Sequence, residues 1–317
     1  MLVKSPLEFD EAAIRSFSEK YIMSLESEFL ASYNRIKNAP RRNLEQQTMN
    51  RIFSERDLLA IYPNPMVLDV GSSRICAVGS LSPEEGHTVT LRSCDVLAGA
   101  YAMLNSMFGL KPYVETEFAF VERLTDKFPE NSFDIVRMSN ALDHCYDPFT
   151  GIFEMLKVAK IGGTVRLIHH ENESVYELEY GMHQWNITSG GENSMVIWRK
   201  GFTADIRDIL GEAAEIRTQK QQRNDGTYVI KSDIVKLQDI QTPPKKGMNI
   251  FDETMITFCL MKTSARFSAA YKKAGNADPF RKSLFRKVIA YAPMSLRKYV
   301  PSWLEKCVRN LSRRIGY

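Results

Sequence analysis

Runs of apolar residues alternate with amphipathic stretches through the central part of the chain, and the first run is Met66–Val70. Apart from Asp69 this run is apolar, and the small residues Gly71, Ser72 and Ser73 follow it. Such a run is typical of a parallel strand that is covered on both faces. Small residues let the backbone approach a ligand closely. The pattern therefore predicts a buried strand that ends at a binding turn, with an ordinary strand-to-helix turn as the alternative.

The later segments continue the alternation of strands and helices. Asp147 and Pro148 favour a helix start, because aspartate caps free backbone amides and proline fits the first helical position. Strands that alternate with helices indicate a doubly wound α/β sheet, which binds its ligands at the carboxyl ends of the strands. The strands are predicted at 88–95, 113–120, 133–138 and 165–168, and the helices at 97–109 and from Pro148 to the Gly162–Gly163 pair.

Polar residues stand at or just beyond the predicted strand ends, namely Asp69, Asp95, Asn140, His144, His169 and His170. Asp95 follows Gly71 by 24 positions (95 − 71). In nucleotide-binding α/β units, an acid about 20 residues beyond the glycine turn accepts hydrogen bonds from ribose hydroxyls. The spacing favours that role for Asp95 over that of a simple strand-end or helix-capping acid.

The segments outside this sheet follow a less regular pattern. Helical spacing of apolar residues predicts helices at 8–34 and 44–61, which either pack on the body or cap the binding turn. The segment from Glu171 to Lys200 is predicted to be an irregular loop, and its aromatic content argues against disorder. Strands near 228–234 and 255–261 are expected to complete the sheet.

The formal net charge of +4 conceals a strongly basic C-terminus. Residues 266–317 contain 13 Lys or Arg against 2 acids, a net of 13 − 2 = +11, so the remainder carries 4 − 11 = −7. Apolar and basic residues of this tail fall on opposite sides of a predicted helix, with Trp303 on the apolar side. The pattern predicts an amphipathic helix that lies on an anionic membrane surface. Packing on the body and a nucleic-acid-binding arm are the alternatives.

The cysteines and the hydropathy pattern indicate the environment of the protein. The five cysteines are widely spaced and show neither a zinc-site nor a disulfide pattern, which predicts a reduced, cytoplasmic chain. No apolar run approaches the ~18 residues that a membrane span requires. No metal-ligand spacing is recognisable, so no metal site is predicted, and a cluster of His, Asp and Glu residues that only folding brings together is the alternative.

The motifs, taken in order, resemble those of the class I S-adenosylmethionine (SAM) methyltransferases, and in particular the type-11 group. Residues 67–73 resemble the first motif of that family, Asp95 its ribose acid, and residues 133–148 its fourth-strand region. The resemblance implies a Rossmann-like, seven-stranded sheet with SAM as the cofactor. The cofactor contacts that it implies are Asp69, Gly71 and Ser72 near the methionine portion, Asp95 on the ribose, and Asn140 at the pocket wall.

Two positions depart from the family pattern. Ser73 stands where the family has a second glycine, and Phe120 stands near the place of an acid that binds the adenine amino group. Glu122 is the candidate to take over that contact, with stacking and backbone contacts as the alternative. If both departures weaken cofactor binding, the chain is a non-catalytic binding protein of the same fold.

A narrower resemblance concerns residues 170–173 and 180–186, which are similar to methyltransferases of bacterial surface-polysaccharide and O-antigen biosynthesis. It implies methyl transfer to a hydroxyl of a sugar or of a lipid-linked glycan. Such a hydroxyl has a high pKa, so a general base should assist, and a largely neutral histidine suits that role at pH 7. Tyr176, Tyr180 and Trp185 either contact the sugar or form a local core. The predicted bases are His170 and His144, and the predicted substrate contacts are Tyr180, His183 and Trp185. For each histidine a structural role is the alternative.

These patterns together predict three parts, which are an N-terminal helical segment (1–62), a methyltransferase domain (63–262) and a basic amphipathic tail (263–317). The expected enzyme is cytoplasmic and peripheral on the membrane through its tail. Methylation of RNA or of a small metabolite is the alternative. The chain lacks the Asn/Asp-Pro-Pro-Tyr/Phe motif of enzymes that methylate amino groups of nucleic acids, which makes nucleic acid the less favoured substrate. The oligomeric state stays open.

Overall fold

The computed structural model describes residues 1–7, 25, 28–38, 52–76, 78–81, 88–177 and 183–242 of the chain. The chain divides into two compact units, Met1–Lys245 and Lys246–Tyr317. The second unit, with the predicted basic tail, lies outside the described residues, as does most of the predicted N-terminal helical segment. In the described part, no helix has both the length and the apolar character needed to cross a bilayer.

The described residues alternate between strands and helices. Helices occur at 28–38 (α1), Arg56–Leu59 (α2), Ala98–Met107 (α3), Pro148–Val158 (α4), Glu173–Tyr176 (α5) and Ile206–Leu210 (α6). The first five strands are Met66–Val70 (β1), Thr90–Asp95 (β2), Thr116–Phe118 (β3), Phe133–Ser139 (β4) and Ala159–His170 (β5). The other strands are Asn186–Gly191 (β6), Ser194–Arg199 (β7), Phe202–Asp205 (β8), Ala214–Gln222 (β9) and Tyr228–Lys236 (β10). Short 3₁₀ turns are formed by Val121–Asp126, Leu142–His144 and Gly211–Ala213.

Seven strands form one sheet in the order β3-β2-β1-β4-β5-β10-β9. The strands β1 to β5 run parallel to their neighbours among themselves, whereas β10 runs antiparallel to both β5 and β9. This mostly parallel α/β sheet confirms the predicted Rossmann-like methyltransferase fold. The strand order reverses between β1 and β4, and sheets of this kind bind ligands beyond the strand tips at that point.

The hairpin that completes the sheet is formed by β9 and β10. The strand predicted near 228–234 is β10, but the sequence pattern does not predict its partner β9 at 214–222. Only Ala214, Ile216 and Thr218 are buried in β9, and the rest of this edge strand is polar and exposed. Such a strand carries little apolar signal. The predicted strand at 255–261 lies outside the described residues.

A three-stranded antiparallel sheet, in the order β6-β7-β8, occupies much of the stretch that the sequence predicts to be an irregular loop. That prediction is wrong. Ile187, Met195 and Ile197 are almost fully buried and join the same apolar core as α4. Polar residues and the Gly190–Gly191 pair interrupt the apolar positions. The alternation of apolar and polar residues that marks a strand is therefore short and hard to detect in the sequence.

The two faces of the large sheet pack against different layers. On one face, Leu68 and Val136 join a core that includes residues of α4. On the other face, Val67 and Ile135 pack with residues of α2. Because side chains alternate along a strand, Asp69 shares the second face.

A buried ion network joins the region of α2 to the middle of the sheet. The side chain of Arg166, in β5, is fully buried and bonds to Glu55, Asp57 and Asp233 at 2.7–2.8 Å. Arg137, in β4, bonds to the same Glu55 carboxylate at 2.7 Å. Two arginines of adjacent strands are thus neutralised by acids from two segments, the α2 region and β10. The network fixes the chain before β1 to the sheet on the face opposite α4.

Candidate active site

The turn after β1 has the shape of a ligand-binding turn. The backbone amides of Gly71 and Ser72 both donate to the Cys94 carbonyl oxygen, at 2.9 and 3.1 Å. Gly71 has a φ of +66°, and a Cβ atom there would lie 2.8 Å from the Cβ of Ala141, so only glycine fits. Ser73 takes a φ of +59°, a conformation that glycine adopts more readily. The turn therefore keeps a left-handed backbone at Ser73 although the second glycine of the family motif is missing.

The carboxylate of Asp95, at the tip of β2, holds this turn in place. Its Oδ2 accepts a hydrogen bond from the Ser73 amide at 2.9 Å, and its Oδ1 accepts one from the Leu97 amide at 2.8 Å. Burial raises the pKa of Asp95 to about 6. Each carboxylate oxygen can accept a second hydrogen bond, so Asp95 retains the capacity to bind hydroxyl groups of a ligand at the strand tip.

Asp69 belongs to the buried ion network through Arg137 and does not join the polar side chains at the strand tips. Its Oδ1 accepts a hydrogen bond from Arg137 at 3.0 Å, and its Oδ2 accepts one from the Cys76 thiol at 3.2 Å. Burial raises the pKa of Asp69, and only 2% of the residue is exposed. Both oxygens are used within the protein. The structure therefore gives Asp69 a structural role, and its predicted contact with a cofactor stays a prediction.

Asn140 connects the tip of β4 to the end of β5. It has a φ of +52°, and its amide donates to the Ile168 carbonyl oxygen at 2.8 Å. Its side-chain Oδ1 accepts a hydrogen bond from the His170 amide at 3.2 Å, and its Nδ2 donates to Glu173 at 3.1 Å. These contacts place Asn140 at the carboxyl edge of the sheet, where it was predicted to line the pocket.

Three side chains beyond the tip of β4 form an Asp–His–His cluster of Asp143, His144 and His183. The Oδ2 atom of Asp143 lies 2.7 Å from Nδ1 of His183 and 3.5 Å from Nε2 of His144. The two imidazole nitrogens are 3.3 Å apart. Burial opposes ionisation of Asp143, but the neighbouring histidines outweigh it and hold its pKa below the usual range. The hydrogen bond with Asp143 raises the pKa of His183.

The two histidines at the end of β5 point to opposite sides, as their adjacent positions predict. His169 is 3% exposed, and neither ring nitrogen has a hydrogen-bond partner among the described residues. Burial lowers the pKa of His169 to about 4, so the ring is neutral at pH 7. The ring of His170 instead faces Arg223, whose Nη1 lies 3.1 Å from Nε2. The structure therefore does not bring His170 into the Asp–His–His cluster.

The predicted substrate contacts fall in three different surroundings. His183 is in the Asp–His–His cluster, and Tyr180 lies outside the described residues. Trp185 is completely buried, and its indole nitrogen donates to the Cys145 carbonyl oxygen at 2.8 Å. Its ring packs edge-on against Phe149. A fully buried ring cannot stack on a sugar, so the structure corrects that expectation and supports the alternative of a local core.

The tip of β3 presents an aromatic side chain that the sequence predictions do not include. Phe118 pairs in register with Asp95, is half-buried and contacts Phe120 edge-on. Phe120 itself is 5% exposed. The sequence signal for Phe118 was its position at the end of a strand next to Asp95, the predicted ribose acid. Of the two rings, Phe118 is the better placed to stack on a flat ligand beside Asp95.

Glu122 is buried behind the strand tips. It is 2% exposed, and its carboxyl oxygen accepts a hydrogen bond from the Tyr146 amide at 3.1 Å. Burial raises the pKa of Glu122 to about 8, so its side chain is mostly protonated at pH 7. These surroundings do not require a ligand, and the predicted contact of Glu122 with adenine stays a prediction.

Replacing Glu122 by glutamine should stabilise the protein at pH 8 and have little effect at pH 5. The pKa is about 8 in the folded protein and near the ordinary 4.5 in the unfolded chain. The folded state therefore binds the proton more tightly, and stability is lost as the pH rises through this window. Glutamine has no charge to bury. Each pKa unit corresponds to about 1.4 kcal/mol, so urea denaturation should show a gain of roughly 2 kcal/mol or more at pH 8. A gain that is independent of pH would contradict the buried, protonated state.

The helix α1 lies beside the turn after β1. The ring of Tyr33, in α1, lies 5.9 Å from that of Phe108 at the end of α3, and Ser32 of α1 is buried. Glu28, at the start of α1, is close enough to Asp95 to contribute to its raised pKa. The described part of the N-terminal segment, α1, thus lies near Asp95, and the choice between packing on the body and capping the turn stays a prediction.

Residues 68–167 match the family described as "Methyltransferase domain". No curated protein matches the chain. Among solved structures, the trans-methyltransferase CalH in complex with S-adenosylhomocysteine (SAH) is 10% identical, with a TM-score of 0.42 over 57% of this chain and 54% of that one. A 1,6-didemethyltoxoflavin-N1-methyltransferase of Burkholderia thailandensis is 15% identical, with a TM-score of 0.38 over 73% and 94%. A SAM-dependent methyltransferase of Aquifex aeolicus is 16% identical, with a TM-score of 0.35 over 64% and 98%.

Proposed function

We propose that the chain is a class I, SAM-dependent methyltransferase that transfers a methyl group to a hydroxyl of a sugar or of a surface-polysaccharide precursor. The observation that carries the proposal is the Asp–His–His cluster beyond the tip of β4. It lies at the same edge of the sheet as the turn after β1, and His144 is close enough to influence the pKa of Asp95. The groups proposed to bind the nucleoside and the groups able to bind protons thus lie at one end of the sheet.

The residues at the strand tips fit SAM. SAM supplies a methyl group that its sulfonium already activates, and it carries ribose hydroxyls and a flat adenine. Asp95 offers carboxylate oxygens to the hydroxyls, and Phe118 offers an aromatic ring beside them. The backbone around Gly71 and Ser73 keeps the left-handed turn that brings main chain close to a ligand.

The acceptor chemistry follows from what the rest of the site offers. Because the methyl group is already activated, the protein must mainly align the acceptor oxygen with it. A sugar hydroxyl holds its proton tightly, so a group that assists proton loss should accelerate transfer. Asp143, His144 and His183 are the groups that supply this assistance. The acceptor oxygen binds next to them and in line with the methyl group.

The choice of a sugar acceptor rests on two features of the sequence. Residues 170–173 and 180–186 resemble segments of bacterial surface-polysaccharide methyltransferases. The basic tail, 266–317, has the pattern of a helix on an anionic membrane, where a lipid-linked glycan is found. The favoured substrate is therefore a lipid-linked glycan that is met at the inner surface of the membrane.

The decisive experiment incubates the purified full-length protein with methyl-labelled SAM and a lipid-linked glycan fraction from cells with surface polysaccharide. The label should appear in the glycan and should resist treatment with alkali, as expected for a methyl ether. Parallel incubations contain total RNA or a small-metabolite extract. Label that enters only one of these parallel fractions would contradict the sugar acceptor and leave the methyltransferase intact.

Replacing Asp95 by asparagine should weaken SAM binding about 10- to 100-fold, as measured by calorimetry. Hydrogen bonds to a charged group contribute about 1.5–3 kcal/mol, and about 1.4 kcal/mol corresponds to a factor of ten. Asparagine also places an NH₂ group against an amide that now donates to Asp95. The matched control is Asp225→Asn, at an exposed hairpin position, which should bind SAM normally. Equal affinity of both variants would exclude Asp95 from the cofactor site.

A further inference from the structure

We infer that Asp143, His144 and His183 form a binding site for a divalent transition-metal cation of the Zn²⁺ class. The three ligand atoms are Oδ2 of Asp143, Nε2 of His144 and Nδ1 of His183, and all three face one another. Their separations are 2.7, 3.3 and 3.5 Å. Two imidazoles and one carboxylate suit Zn²⁺, Co²⁺ or Mn²⁺ better than Mg²⁺ or Ca²⁺, which prefer oxygen ligands.

The size of this triangle matches a bound ion. Ligand atoms about 2.1 Å from a Zn²⁺ ion in tetrahedral geometry stand roughly 3.4 Å apart. Two of the three separations are already within about 0.1 Å of that value, and the third must widen by about 0.7 Å. Three protein ligands leave a fourth position for water or a hydroxyl group.

The surroundings of Asp143 supply a second, independent observation. The residue is 2% exposed, and its Oδ1 atom has no hydrogen-bond partner among the described residues. A buried carboxylate oxygen without a partner is costly, and a cation bound by the other oxygen of the same carboxylate would offset part of that cost. The ring nitrogens of buried His169 have no partner in the described part of the chain either.

The cation would act on the acceptor, an inference that rests on the proposed function. Held as ligands, the three side chains would assist proton loss through the cation. With the acceptor hydroxyl in the fourth position, coordination would lower its pKa as it lowers that of bound water. The proton leaves to solvent. The acceptor oxygen then forms a bond to the methyl carbon, while the carbon–sulfur bond breaks and its electron pair stays on sulfur. The products are the methyl ether and S-adenosylhomocysteine.

The test uses untagged full-length protein that has been stripped with a chelator and then titrated with Zn²⁺ or Co²⁺ alone. Calorimetry should show one equivalent bound, and Co²⁺ should give the visible absorption of a tetrahedral nitrogen–oxygen site. His144→Ala and His183→Ala should each weaken binding at least 10-fold, whereas Asp225→Asn should not change it. Circular dichroism of each variant verifies that it is folded.

The outcomes separate this site from the proposed reaction. If folded, stripped protein binds none of these cations at micromolar concentration, the metal site is excluded, whatever the methylation results. If the unmodified protein binds the cation and the two histidine variants bind it weakly, but no fraction accepts label, the metal site stands and the methyl-transfer proposal fails. If label is transferred equally well with and without the chelator, the role of the cation in the reaction is excluded and the transferase stands.

Discussion

His183→Ala should lower the turnover number at least 100-fold while SAM affinity stays within about twofold of the unmodified protein. Groups that assist proton transfer contribute about 10²- to 10⁴-fold to rate. His183 is the member of the cluster that lies 2.7 Å from Asp143, so its removal also releases the carboxylate. The measurement is the initial rate of label transfer at saturating SAM and acceptor, with calorimetry for the cofactor.

His170→Ala provides the informative comparison. The sequence predicts His170 as a base, but its ring faces Arg223 and not the Asp–His–His cluster. We therefore expect His170→Ala to keep most of its activity. If His170→Ala lost activity and His183→Ala kept it, the prediction from sequence would be correct and the role given to the cluster would be wrong. Asp225→Ala, on the exposed hairpin, controls for nonspecific effects of substitution.

Arg166→Met should reduce the free energy of unfolding by about 3–5 kcal/mol, because removal of one partner from a buried ion pair leaves uncompensated charge. The Arg166 side chain is fully buried and contacts Glu55, Asp57 and Asp233. Methionine fills part of the space but leaves these acids without that arginine. Urea denaturation followed by circular dichroism measures the change.

Arg217→Met is the matched control for this substitution. Arg217 pairs with Glu215 in the same sheet, but its side chain is 71% exposed. Exposed pairs contribute about 0–1 kcal/mol, so the control should unfold almost like the unmodified protein. If the two variants were equally stable, the buried network would contribute nothing beyond a surface pair. Arg166→Met should also speed the hydrogen exchange of backbone amides around α2, because the network fixes α2 to the sheet.

The parallel part of the sheet could be predicted because its signals are local. Met66–Val70 is apolar over nearly all its length, as a strand covered on both faces must be, and it forms β1. Asp147 was predicted to cap a helix, and its side chain accepts hydrogen bonds from the amides of Phe149 and Thr150. Caps and apolar runs depend on neighbours in sequence, so the sequence alone reveals them.

The roles of the polar residues could not be predicted in the same way. Asp69 looks like a strand-tip acid, but in the sheet it stands opposite Arg137 of β4, which binds it. His183 meets Asp143 across 40 positions of sequence. Spacing motifs detect ligands that lie close together along the chain, and here only the tertiary fold brings the groups together. Asp143 was consequently not among the predicted site residues, although its neighbour His144 was predicted as a base.

The contact between α1 and α3 has a consequence for product release. The ring of Tyr33, in α1, lies 5.9 Å from that of Phe108 at the end of α3, and the charge of Glu28 contributes to the raised pKa of Asp95. A nucleoside bound at Asp95, as proposed, would therefore lie near a helix from the N-terminal part of the chain. We expect substitutions in α1 to change the dissociation rate of S-adenosylhomocysteine more than the rate of methyl transfer.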